Sequence, residues 1–392
     1  MEFRDSISEN KLKKLRLLLV CEVPIDVRIV DHLASEYELT IITRKKFPDE
    51  LVVWKPAGEI PVKPMPPNRL LTPFSVFLYS LFLWMKYDII LVLGAELAAL
   101  GAVVARVLTG KPTVLFLGKF SDEYFMCRYR RGYLLKLYYE AGGALLKLLR
   151  GVNLILSDMN IAGGEYLGEN VARWTKNFRV VPLYGVDTDI YHPVSAKEKL
   201  GIRQKLGLPE KSFFIFFSSR IAPEKDTVSL IKAVKILVNK GIDIILMNLS
   251  GAYRDFELVA ESYGLKERII ARDAVDPRKD LPLYYQSSDL CVQLSKKEGH
   301  GISPLEALAC GIPVIATSVG GLNYTIINWV TGLSVSPGGV GEVADAIEYV
   351  IDNPKEMMKM AKNGRKMVLD KHNAKLVFSQ FDEVVKNMLL IV

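Results

Sequence analysis

The sequence predicts an α/β protein of two doubly wound, parallel-sheet domains facing each other across a cleft. Three observations carry this. At 392 residues the chain is too long for one compact core and suits two domains of about 150–200 residues. Short, near-continuous apolar runs alternate with longer stretches of helical periodicity, as expected of strands covered on both faces by crossover helices. That alternation pauses near residues 184–193, where Gly, Asp and Pro cluster, and then starts again.

In the first half the expected strands are LRLLLVC (core at 16–21), ELTIIT (38–43), DIILVLG (88–94), PTVLFLG (112–118), VNLILS (152–157) and RVVPL (179–183). Helical patterns such as DVRIVDHLASEY and AELAALGAVVARVL separate them. In the second half they are FFIFFSS (213–219), DIILMNL (243–249), ERIIARD (267–273), DLCVQL (289–294), PVIATS (313–318) and GLSVS (332–336). Two Rossmann-like domains follow, 12–186 and 187–372. A last helix over 374–390 comes after two others with no strand between, so the tail 373–392 is free to pack back on the first domain. Ligands of open parallel sheets bind beyond the carboxyl ends of the strands, which makes the cleft the expected site.

Half the residues are hydrophobic and about a quarter charged, with no low-complexity tract, so the chain should fold throughout. The net charge of +7, from 51 basic and 44 acidic residues, suits a polyanionic ligand or an anionic membrane surface without requiring nucleic acid. Cys21, Cys127, Cys291 and Cys310 are far apart with no C-x-x-C, as expected of buried free thiols in a reducing compartment. The start, MEFRDSISENKLKK, is polar and charged, unlike a signal peptide. Neither an Asp-x-Asp nor a His/Cys cluster is expected to hold a metal.

The stretch SKKEGHGISPLEALACG (295–311) sets Glu298 and Glu306 eight positions apart across two glycines, a histidine and a proline. DLCVQLS ends just before it, so EGHGI is a strand-to-helix loop at the carboxyl edge of a sheet. Gly299 and Gly301 let backbone amides approach a ligand, and the helix start beyond offers unpaired N–H groups and positive dipole to phosphate. Ser303-Pro304-Leu305-Glu306 also reads as a capping box, which explains neither Glu298 nor the glycines. Two carboxylates beside an anion site make sense if they accept hydroxyl hydrogens from a sugar or ribose. With SSDLCVQLS before it and ALACGIPVIATSVGGLNYTI after, the stretch resembles the E-x7-E region of the retaining nucleotide-sugar glycosyltransferases of GT-B fold, family four (the group 1 glycosyl transferases). The resemblance implies that Glu298 faces the donor sugar's hydroxyls and Glu306 holds the nucleotide ribose. It also implies that backbone at Gly299, His300, Gly301 and the adjoining Ile302 touches the sugar and phosphates.

FFSSRIAPEKDTVSLIKAV places Arg220 and Lys225 between a strand and a helix. A solvated loop with Lys225 in the first helical turn is the plainer reading. Cations there oppose the helix dipole by roughly a few tenths of a kcal/mol, a sign that a bound diphosphate reverses. The stretch resembles the same family's R-x4-K element, which implies that both cations stabilise a departing nucleoside diphosphate. Glu298, Arg220 and Lys225 are then the catalytic set, and neither a metal nor another cofactor is expected. VVPLYGVDTDIYHP (180–193) resembles the family's domain-joining segment, with Tyr184 ahead of Gly185-Val186-Asp187, and LSGAYRDF keeps Gly251 in the other glycine-rich donor loop.

The resemblance covers roughly residues 178–370 in detail and the first half in architecture alone. Where members carry a glycine pair in the first loop, this chain has CEVPIDVRIVDHL; Asp26 and Arg28 either serve the acceptor there or cap and pair on the next helix. Where many carry a histidine facing the donor sugar, the chain reads FLGKFSDEYF, so Lys119, Asp122 or a backbone carbonyl would stand in. His32, His192, His300 and His372 all lie elsewhere in the sequence; His300 replaces the usual Phe of E-G-F-G and either approaches the sugar or fills space. Front-face attack, in which the departing phosphate oxygen takes the acceptor's proton, tolerates the loss of a basic side chain better than a mechanism that needs a general base.

Two segments bear on the acceptor. LLTPFSVFLYSLFLWM (70–85) runs 16 residues without a charge, short of the about 20 that span a bilayer and interrupted by Pro73; it fits a helix buried against a sheet or lying in an interface. Residues 124–150 carry Arg128, Arg130, Arg131, Lys136, Lys147 and Arg150 against one acid, Glu140. This is either a solvated face with its leucines turned inward or a helix on anionic lipid. The expected partners are a nucleotide sugar, a glycan or lipid-linked acceptor and an anionic membrane surface, in a cytoplasmic protein or one docked on the inner membrane face. Two other readings stay open: a catalytically silent nucleotide-sugar-binding subunit, and a sugar-nucleotide 2-epimerase, which would need a histidine and acid/base carboxylates from the first domain.

Overall fold

A computed structural model describes residues 14–22, 26–43, 60–127, 133–182 and 185–389. The first half builds a parallel sheet and its covering helices. In order these are β1 (Arg16–Cys21), α1 (Val27–Glu36), β2 (Glu38–Thr43), β3 (Val62–Pro64), α2 (Thr72–Phe82), β4 (Ile89–Leu93), α3 (Leu97–Thr109), β5 (Thr113–Leu117), α4 (Ser121–Met126), α5 (Tyr133–Leu156), β6 (Met159–Ala162), α6 (Glu165–Val171) and β7 (Phe178–Val180). The second half has α7 (Ala196–Lys205), β8 (Phe213–Phe217), α8 (Thr227–Asn239), β9 (Ile244–Leu249), α9 (Tyr253–Ser262), β10 (Ile269–Arg272), α10 (Leu281–Ser287), β11 (Leu290–Gln293), α11 (Ile302–Ala309), β12 (Val314–Thr317), α12 (Leu322–Thr325), β13 (Leu333–Val335), α13 (Val340–Asp352), α14 (Pro354–Lys371) and α15 (Ala374–Asn387).

Strand order is β3-β2-β1-β4-β5-β6-β7 in the first sheet and β10-β9-β8-β11-β12-β13 in the second, so each is doubly wound. The order reverses between β1 and β4 and between β8 and β11, the points where such sheets open a crevice. Apolar runs become strands here because both faces are covered. Leu17 and Leu19 of β1 pack under α1, while Leu18 and Val20 face Val76 of α2 and Ala98 of α3, the period-two division of a pleated strand.

One expected strand is a helix. VNLILS lies in the last turns of α5 and the residue after it, and the strand is Met159–Ala162. A short apolar run does not separate the two states by periodicity. Here Asn153 decides: its amide donates to the carbonyls of Ala95 and Glu96, both at 2.8 Å, and ties the helix end to the exit of β4. The segment 70–85 is likewise divided, into α2 and flanking 3-10 turns at Arg69–Leu71 and Trp84–Lys86. No helix among the described residues is long and apolar enough to cross a membrane.

The chain crosses between the domains twice, side by side. Val186 N–H donates to the His372 carbonyl at 2.7 Å, and Ala374 N–H to the Val186 carbonyl at 2.9 Å. Beyond the second crossing α15 lies on the N-terminal sheet, burying Val377, Phe381, Val385 and Met388 among Leu17, Ile41, Ile89 and Phe116. Asp382 fixes it to α1, accepting from Tyr37 at 2.7 Å and pairing with His32 Nε2 at 3.1 Å. The polar N-terminal segment up to Lys13, Arg128, Arg130, Arg131 and Tyr184 lie outside the described residues.

Phe381→Ala should cost about 3 kcal/mol, the usual range for emptying a buried aromatic site, read as a lowered urea midpoint. An unchanged midpoint would show that α15 is only laid against the surface.

Candidate active site

The site is built at the carboxyl ends of β8 and β11, adjacent strands at the switch point. After β8 the chain passes Ser218, Ser219 and Arg220, makes a 3-10 turn over Pro223–Lys225, and enters α8 through Asp226 in the left-handed region (φ 47°). After β11 it passes Ser295 and Glu298 before α11. Lys225 Nζ meets Glu298 Oε2 at 2.7 Å, and Ser295 Oγ donates to the same oxygen at 3.0 Å. Gln293 donates to Ser295 Oγ at 2.7 Å, so a chain of hydrogen bonds running up from β11 aims the carboxylate. Arg220 bonds Glu224 at 2.6 Å; the glutamate is buried, whereas the Arg220 side chain is 57% exposed and open to the cleft. Lys296 pairs with Asp226 at 3.1 Å across the same two loops. A cleft of about 310 Å³ is lined by Gly118 from the N-terminal domain and by Ser219, Arg220, Lys225, Glu298 and Gly301 from the C-terminal one.

The glycines are required by geometry. A Cβ on Gly299 would lie 2.3 Å from the Gly118 carbonyl oxygen, so the loop touches the opposite domain backbone to backbone. Gly301 has φ +87° and starts α11 without a side-chain cap. Ile302, the first residue of α11, lines the cleft beside it.

The capping-box reading of Glu306 fails. The helix begins one residue before Ser303, whose hydroxyl turns to the Ser218 carbonyl at 3.4 Å. Buried Glu306 instead accepts from Arg28 at 2.7 Å and from Tyr285 at 2.8 Å. Burial raises its pKa, and Arg28 and Tyr285 oppose that shift. Asp26 caps α1 through the Arg28 N–H at 2.9 Å and clamps the Arg28 guanidinium with both oxygens. Burial disfavours the charge on Arg28, but Asp26 and Glu306 more than offset it. So Asp26 and Arg28 cap and pair, and Arg28 also bridges the domains; neither is free for an acceptor. Arg278 makes a second bridge, to Asp31 at 2.8 Å.

Asp122 is also committed elsewhere, paired with buried Arg150, whose guanidinium stacks over Phe120. Lys119 stands at the cleft mouth, its ammonium 5.3 Å from the centre of the Tyr124 ring. Its pKa is lowered, first by crowding of protein atoms; among neighbouring charges Arg220 and Lys225 act in the same direction against Glu96 and Glu224. The buried His300 ring packs between Gly164 and His372, with centroids of the two imidazoles 5.4 Å apart, and also lines the cleft. Gly251 lies two residues after the end of β9, one strand out from the switch point, and is not part of the Arg220–Glu298 cleft lining. The triplet Asp187-Thr188-Asp189 lies in the interdomain crossing, with Asp189 paired to Lys375 at 2.7 Å, away from the cleft. Sequence reasoning missed Tyr124, whose hydroxyl faces Glu298 and the Gly299 backbone and is held protonated by burial and by Glu298. It also missed Tyr285. Both sit in ordinary helical patterns with no spacing signal.

Residues 198–367 match the family described as Glycosyl transferases group 1. The chain is 34% identical over 177 residues to the D-inositol 3-phosphate glycosyltransferase of Arthrobacter sp. (strain FB24), covering 43% of this chain and 41% of that one. The chain spans about half the length of the curated relatives it matches. Sucrose-phosphate synthase of Thermosynechococcus elongatus superposes with a TM-score of 0.77 at 20% identity, over 96% of this chain and 100% of that one. The HepE protein of Anabaena, in complex with UDP-glucose, gives 0.74 at 16% identity, over 95% of this chain and 100% of that one. At these identities the likeness is one of fold, two Rossmann-like domains in the GT-B arrangement.

Burial pushes the imidazole of His300 down to about 3 and that of His372 to about 4. Unfolded histidines titrate near 6.5, so between pH 6.5 and 4 the unfolded chain binds more protons and stability is lost as the pH is lowered. His300→Phe should therefore lose roughly 1–2 kcal/mol less stability than the parent between pH 6.5 and 5, measured by urea midpoints. Equal losses would mean that His300 is solvated.

Proposed function

We propose that this chain, whose C-terminal domain belongs to the group 1 glycosyl transferases and whose two domains form a GT-B fold, is a retaining glycosyltransferase using a nucleotide-diphosphate sugar. The observation that carries the reading is the convergence of Arg220, Lys225, Glu298 and the glycine loop at one switch point. Cations and backbone N–H groups suit the diphosphate, and the Glu298 carboxylate suits sugar hydroxyls. Glu306 uses two of its roughly four acceptor positions on Arg28 and Tyr285, which leaves about two for ribose hydroxyls.

In the proposed reaction the bond between the sugar's anomeric carbon and the diphosphate oxygen breaks, its electron pair leaving with the diphosphate. The acceptor hydroxyl attacks from the same face and passes its proton to the departing oxygen. Arg220 and Lys225 stabilise the charge that develops there, the part a divalent metal would otherwise play, so the reaction is proposed to be metal-independent. A nucleotide-sugar-binding protein without turnover is the second reading, favoured by the absence of a histidine at residues 119–122, where Asp122 is paired with Arg150. Slow donor hydrolysis by the pure protein separates the two.

A lipid-linked acceptor and peripheral membrane docking are also proposed. What supports them is an apolar surface on the N-terminal domain: Phe82 of α2, Val107 of α3 and Leu145 of α5 are 79%, 76% and 66% exposed, as are neighbouring Leu70, Trp84 and Leu148 to a large extent. Along α5, Leu137, Leu145 and Leu148 are exposed, whereas Leu146 and Leu149 are half-buried and Leu154 is in the core. The basic side of this surface is smaller than its sequence implies, since Arg150 is buried on Asp122 and Lys136 lies 3.7 Å from Glu140.

A thermal-shift panel of UDP-, GDP- and ADP-sugars tests the donor, because a ligand at about 100 times its dissociation constant adds about 2.7 kcal/mol. Arg220→Ala or Lys225→Ala should lose about 1.5–3 kcal/mol of donor interaction; unchanged kinetics in both refute the phosphate assignment. Flotation with anionic liposomes at low salt should carry the protein to the top fraction, and its absence there would end the membrane reading.

A further inference from the structure

Charge in the cleft is nearly balanced on the C-terminal side. Arg220 is bonded to Glu224, Lys225 to Glu298 and Lys296 to Asp226. A diphosphate carrying two negative charges would therefore enter a site whose cations already have carboxylate partners. Lys119 is different. Among the described residues its ammonium touches only the Tyr124 ring. Glu96, whose charge it feels, is bonded to the backbone N–H groups of Ser121 and Ala95. Its neighbour Gly118 lines the cleft with Arg220, Lys225 and Glu298 and receives the close approach of Gly299.

We propose that Lys119 is a third cationic ligand of the donor diphosphate, delivered by the N-terminal domain across the closed cleft. This rests on the donor reading given above. The lysine reaches the phosphates only while the loop at Gly299 lies against Gly118, so diphosphate binding favours the closed arrangement, and closure in turn completes the charge that stabilises the leaving group. Burial is the main cause of the lowered Lys119 pKa, and Arg220 and Lys225 add to it; an anion placed between the three cations relieves that repulsion.

Calorimetric titration of the full chain with UDP, GDP, the corresponding monophosphates, UDP-glucose and UDP-glucuronate tests this, with Lys119→Met and Lys119→Arg beside the parent. Lys119→Met should lose roughly 10- to 100-fold in nucleoside diphosphate affinity, the range of one charge-assisted hydrogen bond. Its monophosphate affinity should stay within about threefold, and Lys119→Arg should recover most of the diphosphate loss. Equal diphosphate binding by Lys119→Met and parent overturns the proposal while leaving the donor reading intact. So does a loss seen with UDP-glucuronate but not with UDP or UDP-glucose, which would make the lysine a ligand of a sugar carboxylate. A parent that binds no nucleoside diphosphate defeats the donor reading itself, and the proposal with it.

Discussion

The ion pair between Lys225 and Glu298 is the contact on which the rest of the site depends. It exists because β8 and β11 are hydrogen-bonded neighbours at the point where strand order reverses. Adjacent strands lie about 4.8 Å apart, so the loops leaving them in the same direction must either repel or complement each other. Here they complement, with a lysine on one, a glutamate on the other and Ser295 and Gln293 holding the acid in place. Such a pair contributes little to stability, because desolvation offsets most of the Coulomb attraction when the side chains are only 14–18% exposed. Its value lies in aim. Both groups are held in position before any ligand arrives, and the energy of orienting them has already been met by folding.

The second constraint is contact between the domains. Gly299 touches Gly118 backbone to backbone, Arg28 reaches Glu306, and Arg278 reaches Asp31. The two chain crossings lie side by side at Val186 and Asn373, and α15 is part of the N-terminal core. Relative motion of the domains therefore bends a short double crossing and must separate at least two ion pairs among the described residues. A ligand that supplies replacement hydrogen bonds to Glu306 reduces that cost, which couples occupancy of the cleft to its width.

Much of this architecture was legible in the residues. The strands of the second half follow from FFIFFSS, DIILMNL, DLCVQL and PVIATS, runs too short and too apolar for surface helices. VNLILS misled because a buried helix end and a buried strand have the same composition, and a side-chain amide in a distant contact chose between them. Glu306 carried two readings at once: Ser-x-x-Glu before an apolar run is a sound capping signal, but an arginine 278 positions away was the stronger partner.

By itself the sequence determined that two doubly wound sheets stand in tandem, and that a glycine loop with flanking charges lies at the carboxyl edge of the second. Periodicity and loop chemistry are local properties, expressed wherever the strand and helix form. Only the tertiary structure decided which charges are spent and which remain. Arg28, Asp122 and Arg150 are consumed by partners far off in the chain, whereas the Lys119 ammonium lies over the Tyr124 ring, next to the cleft-lining Gly118. Availability depends on what folding brings within about 3 Å of each side chain, and spacing along the chain carries no record of it.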